Sequence, residues 1–269
     1  MKIGFIGAGN MAEAIIKGII SAGTFSASDI YVSDIFDERL NYMQQNYNIT
    51  ALRDNKELIS LSKIAVMAVK PQSMDIVFES IAGSFDDSKL LISIAAGIPV
   101  VRFTDALGDI PVVRVMPNTP SLVGRGAAGL YANRKAKDKL DTALQIFSAI
   151  GEAVVVKSED DIDTVTALSG SGPAYYFLMM EEMIKAGIEL GLDPETAKKL
   201  TLQTALGAAE LAASADKRGE TPEQLRKKVT SPGGTTEAAL KVFNEDQFGA
   251  IVVLAMEKAK ERSKELSGI

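Results

Sequence analysis

Apolar residues along this chain follow two rhythms in turn. Up to about residue 158, short apolar runs alternate with stretches whose apolar positions recur every three or four residues. The runs predict strands over Lys2–Ile6, Ile30–Ser33, Ile64–Val69, Leu90–Ala95 and Val112–Val115, with two more at Gly126–Ala132 and Ala153–Val156. The run at Ile64–Val69 is continuously apolar, as expected of a parallel strand covered on both faces. Between the runs, helical spacing appears over Met11–Ala22, where Met11, Ile15, Ile16, Ile19 and Ile20 share a side, and over Asp37–Tyr47, Ser73–Ala82 and Asp138–Ile150. Strand–helix alternation of this kind predicts a doubly wound, mostly parallel sheet of the Rossmann type.

Beyond residue 158 the strand signals stop. Pro173 stands where a helix begins, and helical spacing continues through Leu190. Asp193-Pro194 reads as a cap followed by proline at the first helical position, opening a long Ala- and Leu-rich helix to about Ala215. Thr221-Pro222-Glu223-Gln224 fits a capping box. Helical patterns over Thr236–Phe243 and Gln247–Leu266 complete the chain. The sequence therefore divides into an α/β domain, residues 1–158, and an all-α domain, residues 159–269.

Composition narrows the chemistry. The chain has 269 residues, 46% of them hydrophobic and 24% charged, and a net charge of -6. A mildly acidic protein without a basic run is a poor ligand for nucleic acid. The Phe248–Met256 run is too short to span a bilayer, and Met1–Ile6 is too short for a signal segment; the expectation is a soluble, cytoplasmic protein. His and Cys are both absent. Imidazole acid–base catalysis, thiol nucleophiles and ordinary zinc centres are thereby excluded, and no metal site is expected. A cofactor that brings its own reactive atom is the natural alternative.

Gly7-Ala8-Gly9-Asn10-Met11-Ala12 reads G-x-G-x-x-A, directly after a strand and opening a helix. The first glycine permits the tight turn, the second lets backbone approach a pyrophosphate, and Ala12 allows close helix–strand packing. The pattern predicts dinucleotide binding. Asp34 ends the second strand, where an acid hydrogen-bonds the adenosine ribose and favours NADH; capping of the next helix is the competing role for it. Ala68-Val69-Lys70-Pro71-Gln72, Ala95-Ala96-Gly97 and Met116-Pro117-Asn118-Thr119-Pro120 follow the third, fourth and fifth predicted strands, at the edge where ligands gather. In the helical half, Leu168-Ser169-Gly170-Ser171-Gly172-Pro173 and Ser231-Pro232-Gly233-Gly234-Thr235-Thr236 read as small-residue loops leading into helices. Such loops bind anions, a substrate carboxylate for example, or simply cap the helix.

Phe5–Met11, Ala68–Gln72, Arg114–Pro120, Ala167–Tyr175 and Val229–Thr236, taken together and in this order, resemble the pyrroline-5-carboxylate reductases. The resemblance implies NAD(P)H reduction of Δ1-pyrroline-5-carboxylate to L-proline, an N-terminal Rossmann domain, and a helical domain that forms homodimers, which assemble further into decamers. Carried over by position, the cofactor falls on Ile6, Gly7, Ala8, Gly9, Asn10 and Met11, on Asp34 and Asn55, on Ala68, Val69, Lys70 and Pro71, and near Ala95, Ala96 and Gly97. The substrate falls on Ser231, Gly233, Gly234, Thr235 and Thr236, with Glu159 linked to the same site. Thr236 is implied as the catalytic hydroxyl. One departure stands out: the family commonly has a small hydroxyl residue at the position of Asp34, and many members prefer NADPH.

A protonated imine is already electrophilic, so its reduction needs little acid catalysis and is compatible with a chain lacking histidine. Two other readings fit parts of the sequence. A 3-hydroxyacid dehydrogenase shares the Rossmann start and needs a catalytic lysine in the helical half, where Lys185 is the one on the first helix. A non-catalytic dinucleotide-binding regulator, or a pyridoxal-phosphate-handling protein, would keep the fold without the turnover.

Overall fold

The computed structural model describes residues 1–267. Contacts divide them into two compact units, Met1–Pro173 with the stretch from Met256 onward, and Ala174–Ala255.

The first unit is built on an eight-stranded sheet. Its strands are β1 (Ile3–Ile6), β2 (Ile30–Ser33), β3 (Thr50–Leu52), β4 (Ile64–Met67), β5 (Leu90–Ser93), β6 (Val112–Met116), β7 (Gly126–Ala132) and β8 (Gly151–Val155). They lie in the order β3-β2-β1-β4-β5-β6-β7-β8. All neighbours are parallel except β6 and β7. The helices of this unit are α1 (Asn10–Ser21), α2 (Asp37–Tyr47), α3 (Asn55–Leu61), α4 (Met74–Ile81), α5 (Val100–Leu107), α6 (Leu140–Ser148) and α7 (Asp161–Val165).

The two-residue period of a strand sends alternate side chains to opposite faces. Phe5, Val32, Val66, Ile92, Val113 and Val115 form one core with Ile15, Ile16 and Ile19 of α1 and Ile146 and Phe147 of α6. Ile6, Met67, Leu91 and Val112 form the other with Leu58 and Ile59 of α3, Phe78 of α4 and Phe103 of α5. Phe78 and Phe103 meet edge to face at 5.3 Å, a favoured aromatic geometry. With both faces covered, this sheet offers polar groups to a ligand at its carboxyl edge. Strand order reverses at β1 and β4, so the crevice of a doubly wound sheet opens there.

Two departures from the sequence expectation are instructive. The elements β3, α3 and α5 are absent from the strand–helix pattern because each is short, three, seven and eight residues, too few turns for a periodicity argument. Asp54 marks α3 more clearly, accepting the Lys56 and Glu57 N–H groups as its cap. The Leu168–Gly172 stretch, expected as a flexible loop, is wound. A π-turn over Thr166–Gly170 follows α7, and Ser171 N–H donates to Thr166 C=O at 2.8 Å. Asn118 Nδ2 donates to Ser169 C=O at 3.0 Å, so the segment is clamped from the end of β6.

The remaining helices are α8 (Gly172–Glu189), α9 (Pro194–Asp216), α10 (Pro222–Lys228), α11 (Thr235–Glu245) and α12 (Phe248–Ser267). Asp193 caps α9, and Thr221 and Gln224 form the expected capping box on α10. None of the helices is long and apolar enough to cross a membrane, among the described residues. The unit Ala174–Ala255 has almost no core of its own: only Ala197, Thr201 and Ala215 are buried. Tyr176, Phe177, Leu206, Leu211, Ile251 and Leu254 are all more than half exposed. Apolar surface on that scale is what a second chain covers.

Helices without a core fold only when covered, so unfolding should be coupled to association. The urea unfolding midpoint should rise with protein concentration. A midpoint independent of concentration would show that the single chain is stable as it stands.

Candidate active site

The site begins where β1 ends. Gly7 has φ +100°, and a Cβ there would lie 2.8 Å from the carbonyl carbon and oxygen of Ala68. Backbone from the β4 exit therefore presses against the turn, and only glycine fits. Gly9 is the opposite case: a Cβ would meet no atom within 4 Å. Gly9 caps α1 with ordinary extended backbone and without a side-chain hydrogen bond. The first amides of α1, at Asn10 and Met11, are thus left to a ligand or water beside open space, with the positive end of the helix dipole behind them. Ala8 and Ala12 are buried and anchor the turn, whereas Gly9 and Asn10 are exposed.

Asp34 closes this cradle from β2. The Ala8 N–H donates to its Oδ2 at 2.7 Å and the Phe36 N–H to its Oδ1 at 3.1 Å. The carboxylate therefore ties the glycine turn to the residue that precedes α2. Ile35 and Phe36, directly beyond it, are 89% and 66% exposed and form an apolar lip. Buried Ser33 donates its hydroxyl to Asn55 Oδ1 at 2.7 Å, and Asn55 Nδ2 donates to Ser80 Oγ at 3.1 Å. Ala68 N–H donates to Ile6 C=O at 2.8 Å, which joins the β4 exit to β1. Lys70 is exposed on that exit and makes no ion pair among the described residues. Ile6–Met11, Asp34, Asn55 and Ala68–Pro71 thus cluster at one edge of the sheet.

Two groups the sequence reading passed over complete the cluster. Arg39 of α2 donates from Nε to the Ala8 carbonyl and pairs with Glu13 of α1. Its guanidinium lies over the Tyr42 ring, 4.8 Å from the centroid. Glu13 Oε1 accepts the Tyr42 and Tyr47 hydroxyls at 3.0 and 2.7 Å. Burial pushes the Glu13 carboxyl upward, but the bonds from Arg39, Tyr47 and Tyr42 outweigh it and hold the group below the ordinary range. Burial and the Glu13 carboxylate push Tyr47 up. A charged residue amid the apolar repeat of α1 was the available signal, but its partner lies 26 residues away.

Ala95, Ala96 and Gly97 follow β5. Gly97 takes φ +72°, and a Cβ there would sit 2.8 Å from Leu266 Cβ, so the loop rests against the last turn of α12. Glu159 lies close by in a different setting. Its Oε1 accepts the Val100 N–H at 2.6 Å, capping α5, and pairs with Arg114 Nη1 at 3.1 Å. The Arg114 side chain is only 3% exposed and also faces Asp163, at 3.8 Å. Asp163 accepts the Ser263 hydroxyl of α12 at 2.6 Å. Glu159 thus belongs to a buried charge network that binds α5, β6, α7 and α12 together. The signal for it was an arginine inside an otherwise apolar strand, Val112–Met116.

In the helical unit, Ser231, Gly233 and Gly234 form the turn into α11, and Thr235 and Thr236 open the helix. Gly234 N–H donates to Ser231 C=O at 3.0 Å, and Gly233 N–H to Glu237 Oε2 at 2.7 Å. No side chain caps α11 at Gly234, which leaves the amides of Thr235 and Thr236 to a ligand or water. Ser231 and Thr235 are exposed and Thr236 is half-buried. An open hollow of about 820 Å³ adjoins the turn, lined in part by Thr230, Gly233, Gly234, Glu237 and Lys241. Lys185, the lysine a hydroxyacid dehydrogenase would need, is engaged by Glu181 and Glu182 at 2.7 and 2.8 Å on the exposed face of α8.

Comparison with known proteins bears on these features. A family model described as pyrroline-5-carboxylate reductase dimerisation matches residues 159–266, and one described as NADP oxidoreductase, coenzyme F420-dependent, matches residues 2–97. The chain is 46% identical to the pyrroline-5-carboxylate reductase of Pseudomonas aeruginosa over 99% of this chain and 97% of that one. It is 41% identical to the Synechocystis enzyme of the same name, over 99% and 98%. Among solved structures, a pyrroline-5-carboxylate reductase from Coxiella burnetii superposes with a TM-score of 0.93 at 40% identity, covering 99% of this chain and 98% of that one. The Plasmodium falciparum pyrroline carboxylate reductase, with NADP bound, gives 0.86 at 33% identity, over 99% and 98%.

Gly9 separates a ligand role from a folding role. Gly9→Ala meets no atom and no backbone strain, so stability should change by no more than about 0.5 kcal/mol. Affinity for a dinucleotide, read by fluorescence titration, should nevertheless fall about 10-fold or more, as a methyl group enters the space a pyrophosphate needs. Unchanged affinity would remove the turn from the binding site. Glu13 carries a pH prediction. Its folded carboxyl is held below its ordinary value of 4.5, so the stability it contributes is present above that pH and is lost as pH falls below it. Glu13→Gln should therefore be less stable than the parent at neutral pH, and its urea midpoint should fall less on acidification. Identical acid limbs would contradict the network.

Proposed function

The chain belongs to the pyrroline-5-carboxylate reductase family, and from that premise we infer how its residues divide the work. It is an NAD(P)H-dependent oxidoreductase that reduces Δ1-pyrroline-5-carboxylate to L-proline, the last step of proline biosynthesis, and it oligomerises through its helical region. The finer reading concerns which residues act. We assign the cofactor to residues 1–158 and the substrate and subunit contacts to residues 159–269.

The observation that carries the cofactor assignment is the open, uncapped start of α1 at Gly9. A cradle that a Cβ would fill, beside amides without a side-chain partner, suits a pyrophosphate. Ile6–Met11 and Ala68–Pro71 would hold the diphosphate and nicotinamide halves. Asn55 and Ala95–Gly97 would flank them, and Ile35 and Phe36 would cover the adenine. Asp34 would accept the ribose hydroxyl and lean the preference toward NADH. When bound, the dihydronicotinamide supplies the hydride.

The amides of Thr235 and Thr236 and the Ser231 hydroxyl would hold the substrate carboxylate, supported by Gly233 and Gly234, which keep side chains out of the turn. Anchoring the carboxylate fixes which face of the flat ring is presented, and so fixes the product's configuration. The Thr236 hydroxyl would donate to the ring nitrogen; as a weak acid it holds or relays a proton rather than supplying one from its own ionisation. Glu159 would act by setting the N-terminus of α5 beside the Ala95–Gly97 loop. A dimer that assembles into a decamer, and a cytoplasmic location, complete the reading.

The test is oxidation of NADH and NADPH, in parallel, with Δ1-pyrroline-5-carboxylate as substrate. Turnover is expected with both, and a higher kcat/KM with NADH would place Asp34 on the ribose. Folded protein that binds a cofactor and turns over no imine would overturn the substrate assignment. Thr236→Ala should lower kcat by about 10- to 100-fold, the range for one hydrogen bond made in the transition state. A kcat equal to the parent's would take Thr236 out of the mechanism.

A further inference from the structure

The end of β2 brings two opposite charges to one residue of the glycine turn. Asp34 accepts the Ala8 N–H at 2.7 Å, and Arg39 donates to the carbonyl of the same residue. The two charges are not equally available. Glu13 pairs with the guanidinium through one carboxylate oxygen, and the Tyr42 and Tyr47 hydroxyls hold the other. Arg39 and Glu13 are 25% and 18% exposed, so the pair is only partly screened by water. A group arriving at the end of β2 meets the Asp34 carboxylate, while the neighbouring cation is already neutralised.

We propose that the Glu13–Arg39 pair is a selectivity lock for the dinucleotide: it holds Arg39 against Ala8 and Glu13, leaves Asp34 as the charge that a ribose 2′ substituent meets, and so favours NADH over NADPH. The inference rests on the dinucleotide reading of the glycine turn. A 2′-phosphate beside an acid at this position is repelled unless an arginine accommodates it. Arg39 has five N–H donors. Its bond to Ala8 uses one, so freeing it from Glu13 would leave donors for a phosphate without detaching it from the turn. Arg39 and Glu13 are positioning residues here; they set which charge is presented.

The experiment compares the parent with E13Q, R39M and the double variant E13Q/R39M. It reads two ratios of NADPH to NADH: kcat/KM at fixed Δ1-pyrroline-5-carboxylate, and dissociation constants from fluorescence titration without any imine. In E13Q both ratios should move toward NADPH by about 10-fold, the worth of one charge-assisted contact. R39M should leave them at or below the parent's, and E13Q/R39M should return them there. A folded E13Q protein with unchanged ratios would overturn the lock, as would a shift that survives in the double variant. If E13Q does not fold, Y47F removes one of the hydroxyls that fix Glu13 and should give a smaller shift in the same direction; no shift would overturn the proposal. The binding ratio needs no imine, so the two readings fail separately. Nucleotide binding that shifts as stated without imine turnover would sink the reductase assignment alone, and turnover with unshifted ratios would sink the lock alone.

Discussion

The close approach of β1 and β4 governs what this molecule can do. A parallel sheet packed by helices on both faces has no room among its strands for a polar ligand, so recognition is confined to the loops at its carboxyl edge. At that edge the Ala68 carbonyl lies where the Cβ of any residue but glycine at position 7 would stand. The contact forces the chain out of β1 in the left-handed region and turns it directly into α1. The open space at Gly9 and the uncapped amides of α1 follow from that turn. Asp34 then fixes the turn through Ala8 and Arg39 fixes it from the other side. The cradle is thus preorganised by backbone and charge from β1, β2, β4 and α2.

Much of this was legible in the sequence, and the reason is locality. Strands β1, β2, β4, β5, β6 and β7 are short, mostly apolar runs, and the caps at Asp193 and Thr221 are set by residues within one turn. The glycine turn is readable because its demands on backbone fall on three consecutive residues. The wound Thr166–Gly172 segment was not readable, because its small residues suit a loop equally well and its conformation depends on Asn118, 51 positions from Ser169. The same holds for Glu13 with Arg39, for Arg114 with Glu159, and for Ser263 with Asp163. Each is a charged or polar group whose partner comes from another element, and no periodicity encodes it.

The helical unit shows a different kind of legibility. Helix spacing and caps identified α9, α10, α11 and α12, yet the partition of their faces is unlike that of α1 or α4. Apolar residues lie along α8 and the first half of α12, largely exposed in the single chain. Periodicity arguments assume that an apolar stripe finds its cover within the same chain. Here the stripe is satisfied by association, and the match of residues 159–266 to a dimerisation family accounts for it.

The structural bonds of Asp34 need not compete with the ligand role proposed for it. A carboxylate has about four lone-pair sites on its two oxygens. The Ala8 and Phe36 N–H groups take one on each oxygen, which leaves acceptor capacity on both. Both bonds come from backbone donors, which hold the carboxylate oriented before any ligand arrives. A ribose hydroxyl can add to such a group by donating; a phosphate, which at neutral pH has mostly charge to offer, cannot. Under the proposed binding mode, selectivity at this position would turn on where Arg39 is held. The elements that hold it, Glu13 on α1 and the tyrosines of α2, are the same ones that pack the first helix against the second.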